Sequence, residues 1–184
     1  MSSLYHTALT ELGGVFAKLN DADVDAALDM IAKARKIVVF GGGRERLQIM
    51  GFAMRLYHMG LAVAVEGDMT TPPVGKGDLF IATVGPGEIS TALALLGVAK
   101  TAGAAILVIT AQPKGRAAAF ADFVLTLPAQ TMADDRGAQK SSVLPMGSLY
   151  EGALFILFEV MILKLKDKLK IGYDVMRANH TNLE

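Results

Sequence analysis

Along the chain, short continuous apolar runs alternate with longer stretches in which apolar residues return every three or four positions, the signatures of buried strands and amphipathic helices. Leu4, Leu9, Leu12, Val15, Phe16 and Leu19 recur at roughly helical spacing, with Gly13-Gly14 weakening the middle. "NDADVDAALDMIAKA" predicts a second helix, capped by Asn20 or Asp21 and acidic in its first turn. "KIVVF" (36–40) is a β-branched run stopped by glycines, a buried strand, and residues 44–59 return to a helical period through Leu47, Met50, Phe52, Ala53, Leu56 and Tyr57. "LAVAVEG" and "DLFIATVG" (78–85) read as further strands, "GEISTALALLGVAKTAG" as a helix closed by Gly103, and "AAILVIT" and "DFVLTLP" as the last two strands. Residues 128–147 form a polar loop, 150–170 a long apolar helix with a basic end, and a short helix precedes the tail "NHTNLE".

Apolar strands alternating with helices predict an α/β fold: a five-stranded parallel sheet flanked by helices in three layers. The whole chain, 1–184, reads as one domain, with N-terminal helices in 1–35, the sheet core in 36–147, and C-terminal helices and tail in 148–184. Neither an internal repeat nor a low-complexity segment interrupts it.

Composition narrows the function. Hydrophobic residues make up 52% of the 184 and charged residues 20%, with 18 basic residues balancing 18 acidic ones. No sequence-wide field therefore favours nucleic acid or an anionic membrane. The longest greasy region, 152–165, is interrupted by Glu159 and Lys164 and is too short to span a bilayer. The start, "MSSLYHTALTELGG", is a poor signal peptide, which predicts a cytoplasmic protein. The absence of cysteine excludes disulfides and thiolate metal sites, and three scattered histidines indicate no metal; no cofactor is expected. The apolar surplus suits subunit contacts.

Ligands on open parallel sheets bind where loops leave the carboxyl ends of the strands. Two such loops are glycine-rich and open helices: "GGGRER" after the first strand and "GPGEIS" after the third. Helix starts present unpaired N–H groups and a positive dipole end, and glycine lets the backbone approach a ligand. Neither loop matches a Walker motif or a dinucleotide fingerprint. Gly41, Gly43, Arg44, Glu45, Gly85, Pro86, Gly87, Glu88 and Ser90 are the binding candidates these loops supply.

The stretches "IVVFGGGRERLQIMGFAMRLYHMG", "GDMTTPPVGKGDLFIATVGPGEIS", "SSVLPMGSLYEGALFILFEVMI" and "RANHTNLE" resemble the sugar isomerase (SIS) domain family, in particular its 6-phospho-3-hexuloisomerases. The resemblance is collinear over nearly the whole chain. It implies a small five-stranded flavodoxin-like domain that assembles as a homotetramer, with sites near subunit interfaces. The implied activity interconverts hex-3-ulose 6-phosphate and fructose 6-phosphate without a cofactor.

The departures fall in the phosphate loops. Family members usually carry Gly-x-Gly-Arg-Ser in the first loop, and Glu45 stands in place of that serine. They carry Ser-Gly-Ser-Gly-x-Thr in the second, where Val84, Pro86 and Ile89 occupy the hydroxyl positions. Each hydroxyl bond to a charged phosphate is worth roughly 1.5–3 kcal/mol. Losing several beside a carboxylate predicts weaker phosphate binding, and a carboxylate suits an uncharged polyol end instead. A non-phosphorylated or otherwise altered sugar is one expectation. The other is that Glu45 faces solvent or pairs with Arg44 or Arg46, leaving backbone N–H groups to hold phosphate.

Moving a carbonyl between neighbouring carbons passes through an enediol and needs a base that serves both carbons. Glu151, in the position of the family's matching glutamate, is the expected base, although a first-turn glutamate also stabilises a helix start. His180 is the expected auxiliary acid, and in similar proteins this tail reaches a neighbouring subunit's site. His58 also falls on a family position but reads as packing or capping at the end of a core helix. Thr70, with Thr71, could bond sugar hydroxyls after the second strand; Lys76 and Arg136 are cations that nothing in the sequence places in a cleft. A rival reading is a SIS-type module that senses a sugar without turning it over.

Overall fold

The computed structural model describes residues 3–183 and contains six α-helices and five strands among them. In chain order they are α1 (Leu4–Phe16), α2 (Asp21–Lys33), β1 (Ile37–Gly41), α3 (Gly43–His58), β2 (Val63–Val65), β3 (Leu79–Thr83), α4 (Ser90–Thr101), β4 (Ala105–Thr110), β5 (Phe123–Thr126), α5 (Ser148–Leu169) and α6 (Tyr173–Ala178). Two 3-10 turns, Arg116–Phe120 and Gly137–Gln139, interrupt the connections. The strands form one parallel sheet in the order β2-β1-β3-β4-β5.

Side chains on successive strand residues face opposite sides of a sheet, and both sides here are covered. Ile37, Val39, Leu79, Ile81, Leu107, Ile109 and Leu125 pack with α1, α2, α3 and α5, whose contribution includes Leu28, Ile31, Phe52, Leu56, Leu154 and Phe158. Val38, Phe40, Phe80, Ala82, Ile106 and Val108 pack on the other face with Ala92, Leu96 and Ala99 of α4 and with Ala117. This two-sided burial is why the central strands read as unbroken apolar runs. α5, the greasiest helix, is buried along most of its length because α1, α2 and α3 all pack against it.

The strand order reverses at β1: the chain leaves it towards β2 and returns on its other side as β3. The loops leaving β1 and β3 therefore part at their carboxyl ends, which opens a crevice at that point. These are the two glycine loops. α4 starts later than its sequence pattern indicates, at Ser90, because residues 84–87 fold into a tight turn closed by Gly87 N–H to Val84 O, 2.9 Å. No described helix is long and apolar enough to cross a membrane.

Candidate functional site

A cavity of about 660 Å³ occupies the crevice, in the size range of small-molecule sites. One side is the start of α3, Gly42 to Glu45; a second is Pro86, Glu88, Ile89 and Ser90 before and within α4. The third comes from the polar loop 128–147, through Thr131, Met132, Ala133, Arg136 and Gly147, continuing into Tyr150 and Glu151 of α5. Three helix starts thus open onto one space. α1 and α2 begin with side-chain caps, Ser3 accepting from His6 N–H and Asn20 from Ala22 N–H. α3, α4 and α5 begin at Gly42, Ile89 and Gly147, none of which supplies a side-chain cap. A helix start leaves its first N–H groups without intrahelical partners; here Ser148 and Tyr150 N–H at α5 bond the Pro145 and Gly147 carbonyls, and Glu45 N–H at α3 bonds the Gly42 carbonyl.

Arg44 bridges two of these starts. Its guanidinium donates to Ser148 Oγ at 2.9 Å and to the Met146 carbonyl, which ties α3 to the turn before α5. That turn reverses through Met146 and Gly147, with φ of 56° and 79°. Arg44 Nη2 also lies 3.2 Å from Glu151 Oε2. This second contact is charge to charge, since Oε2 is buried and accepts no hydrogen bond from the described residues. Burial raises the Glu151 pKa above the usual carboxylate value, and the Arg44 charge opposes that rise.

Glu45 corrects the expectation that it faces solvent or pairs with Arg44 or Arg46: it is 6% exposed and makes no ion pair among the described residues. Its two oxygens lie 3.1 and 3.0 Å from the N–H of Gly85, and Thr83 Oγ1 donates to Oε2 at 2.6 Å. Arg46 turns away to the Glu66 carbonyl, 2.8 Å. Beneath Glu45, Thr83 Oγ1 is 3.3 Å from Tyr150 Oη, which donates to the Ile109 carbonyl at 3.1 Å. This buried chain joins the start of α3, the ends of β3 and β4, and the start of α5. Burial pushes the Glu45 pKa up to about 7; the Thr83 and Gly85 bonds pull it down, and the Glu151 charge raises it further. Tyr150 is held well above its ordinary value by burial and by the Glu45 charge. Gly85 is required by this arrangement: a Cβ there would come within 2.8 Å of Tyr150 Cε1 and 2.9 Å of Glu45 Oε1.

Of the residues singled out from sequence, Gly43, Arg44, Glu45, Pro86, Glu88, Ser90 and Glu151 line the cavity. Gly41 ends β1 behind them, and Gly85 and Gly87 are the turn that supports Pro86. Glu88 is drawn to the rim by Arg116, 2.6 Å away. Thr70 is not brought to the cavity: it lies with Lys36, Ala62 and Pro72 at a separate hollow beside β2, because the loop after β2 runs back towards the start of β1. His180 is also outside it, its ring centroid 4.9 Å from that of His58. Both histidines line a different hollow with Arg55, Tyr173 and Arg177. His58 itself is buried at the end of α3, where its carbonyl accepts from Asn179. Sequence reasoning missed Thr131, Met132, Tyr150 and Thr83, and named Arg136 without placing it in the cleft. The described residues contain no cluster of three or more carboxylate or imidazole side chains able to hold a metal ion.

Residues 30–155 match the SIS domain family. Over 176 residues the chain is 32% identical to a Bacillus subtilis protein named 3-hexulose-6-phosphate isomerase, covering 96% of this chain and 95% of that one. A protein of the same name from Methylomonas aminofaciens is 32% identical over 184 residues, all of both chains. The crystal structure of a Methanococcus jannaschii protein, from which a function of 3-hexulose-6-phosphate isomerase was inferred, superposes with a TM-score of 0.84 at 28% identity, covering 98% of each chain.

Proposed function

The chain belongs to the SIS domain family, and on that premise we propose that this sugar-phosphate isomerase interconverts a 3-ketohexose 6-phosphate and fructose 6-phosphate, with Glu151 as the base. The observation that carries the reading is the convergence of three uncapped helix starts and two arginines on one cavity, with a carboxylate oxygen bare of hydrogen bonds among them. A phosphorylated sugar needs an anion seat and a base within a few ångströms of each other, and both are present.

In the forward direction Glu151 takes the proton from C2 of the 3-ketose, and the electron pair moves into a C2–C3 enediolate. The same carboxyl returns a proton to C3, while the hydroxyl proton passes from O2 to O3, leaving the carbonyl at C2. Negative charge on the enediolate oxygen is stabilised by the helix starts and by Arg44. Loss of the loop hydroxyls does not argue for an uncharged substrate, because the carboxylate that replaces one of them is already satisfied inside the protein.

We assign His180 to the cavity of a neighbouring subunit in a cytoplasmic homotetramer, as an auxiliary acid. The placement of the tail outside its own cavity and the exposed apolar side chains of α1, α3 and α5, among them Tyr5, Leu9, Met54, Phe155 and Leu163, support that assembly. The test is direct. Fructose 6-phosphate incubated with the protein and followed by carbon NMR is expected to yield a second ketose signal at C3, while unphosphorylated fructose stays unchanged. Turnover of fructose alone would overturn the choice of substrate.

A further inference from the structure

Glu45 supplies an inference that rests on the isomerase reading and extends it to specificity. Gly85, Pro86 and Gly87 of the second glycine loop leave no N–H free for an anion in this protein. Gly85 N–H is spent on Glu45, Pro86 has no N–H, and Gly87 N–H is spent on Val84 O. The carboxylate that fills the seat is almost wholly buried, yet it borders the cavity. The cations that border the same cavity are Arg44 and Arg136. Arg136 makes no ion pair among the described residues, whereas Glu88, on the second-loop side, is neutralised by Arg116.

We infer that Glu45 is a specificity-determining residue: its carboxylate acts as an internal anion in the second glycine loop and confines the substrate's anionic group to the side of the cavity formed by Arg44, Arg136 and the start of α5. A serine-bearing first loop would leave Gly85 N–H for the ligand; this one offers a negative charge in its place.

The charges around Glu45 make the consequence measurable. From its own helix these are Arg44, held by the turn before α5, and Arg46, held by Glu66. From the second loop there is Glu88 with Arg116; from α5, Tyr150 and Glu151; from the third side, Arg136, with Asp134 engaged by Gln112 and Thr131. With Glu88 neutralised by Arg116, ionised Glu45 and Glu151 already balance the two arginines of the cavity. An incoming anion therefore favours the protonated form of Glu45, and proton uptake accompanies anion binding wherever Glu45 is ionised beforehand.

Sulfate, whose own charge is constant near neutrality, is the probe, and calorimetry of the full chain in buffers of different ionisation enthalpy is the measurement. Wild-type protein is expected to take up protons on binding sulfate between about pH 6 and 8, spanning the raised Glu45 value, and to bind more weakly as the pH rises. Glu151→Gln keeps most of that uptake. Glu45→Gln loses it and binds sulfate about tenfold or more tighter at the upper end of the range. Arg136→Gln weakens binding by a similar factor. An absence of proton uptake in the wild type overturns the inference, as does an Arg136→Gln variant with unaltered affinity. A folded Glu45→Gln variant that binds sulfate no tighter also overturns it. Solvent-hydrogen exchange into fructose 6-phosphate by the wild type reads the isomerase assignment separately, so the two failures are distinguishable.

Discussion

Arg44 and Glu151 meet across the first turns of α3 and α5, Nη2 to Oε2 at 3.2 Å, while the hydrogen bonds of the guanidinium go to Ser148 and Met146 instead. The proposed base is thus held next to a positive charge. Arg44 moderates a pKa that burial alone would raise further.

Removing that moderation should shift the acid limb of the rate profile. With Glu151 as the proposed base, activity requires its ionised form and falls as pH drops through its pKa. Arg44→Met takes away the charge that lowers this value, so the limb moves to higher pH. A profile of kcat against pH that keeps its acid limb in place would contradict the coupling.

Glu151→Gln preserves shape and removes the base. Loss of a positioned base is typically worth about 10² to 10⁴ in rate. The expected outcome is a kcat reduced by that order with KM changed little, measured by the coupled appearance of the product ketose.

Glu45 links stability to pH. Its folded pKa, about 7, lies above the ordinary 4.5. The folded state therefore holds a proton that the unfolded state has released between these values. Its contribution to stability is full below about pH 4.5, declines as pH rises towards 7, and is level above that, a loss on the order of 3 kcal/mol. Glu45→Gln keeps the acceptor for Gly85 N–H and cannot ionise. The stability of wild type relative to this variant, from urea melts, should fall between about pH 5 and 7 and then level off.

Assignment of His180 to a neighbour's cavity predicts complementation. Glu151→Gln subunits retain the tail histidine, and His180→Ala subunits retain the base. Mixed tetramers refolded from the two should regain activity that neither homotetramer has; if they do not, His180 acts in its own chain or not at all. Thr70→Ala, by contrast, should leave kcat and KM unaltered, since Thr70 lies at a different hollow.

The fold was legible because its cause is local. β1, β3 and β4 are buried on both faces, so they appear as unbroken apolar runs, and the helices between them carry a 3.6-residue period. Part of the cavity lining was legible, through Gly43, Arg44, Pro86, Ser90 and Glu151. What was not legible depends on distance along the chain. The bonds of Glu45 to Gly85 and Thr83 span 40 and 38 residues, and no local pattern announces that a helix-start carboxylate will turn inward. Arg136 and Thr131 lie in a polar loop without periodicity. They reach the cavity because Gly147, at positive φ, packs against the Thr131–Met132 backbone so closely that a Cβ would sit 2.6 Å from Met132 N. Tyr150 reads as a helix residue next to the base; its hydroxyl bond to Ile109 emerges only once β4 and α5 are side by side.

The central claim, enediol chemistry between C2 and C3 driven by Glu151, is tested most directly by incubating fructose 6-phosphate with the protein in deuterium oxide and reading the sugar's carbon-bound hydrogens by NMR. The account predicts deuterium at C3, none at C1, and loss of the exchange in Glu151→Gln. Exchange confined to C1, or exchange at C3 that survives the substitution, would contradict it.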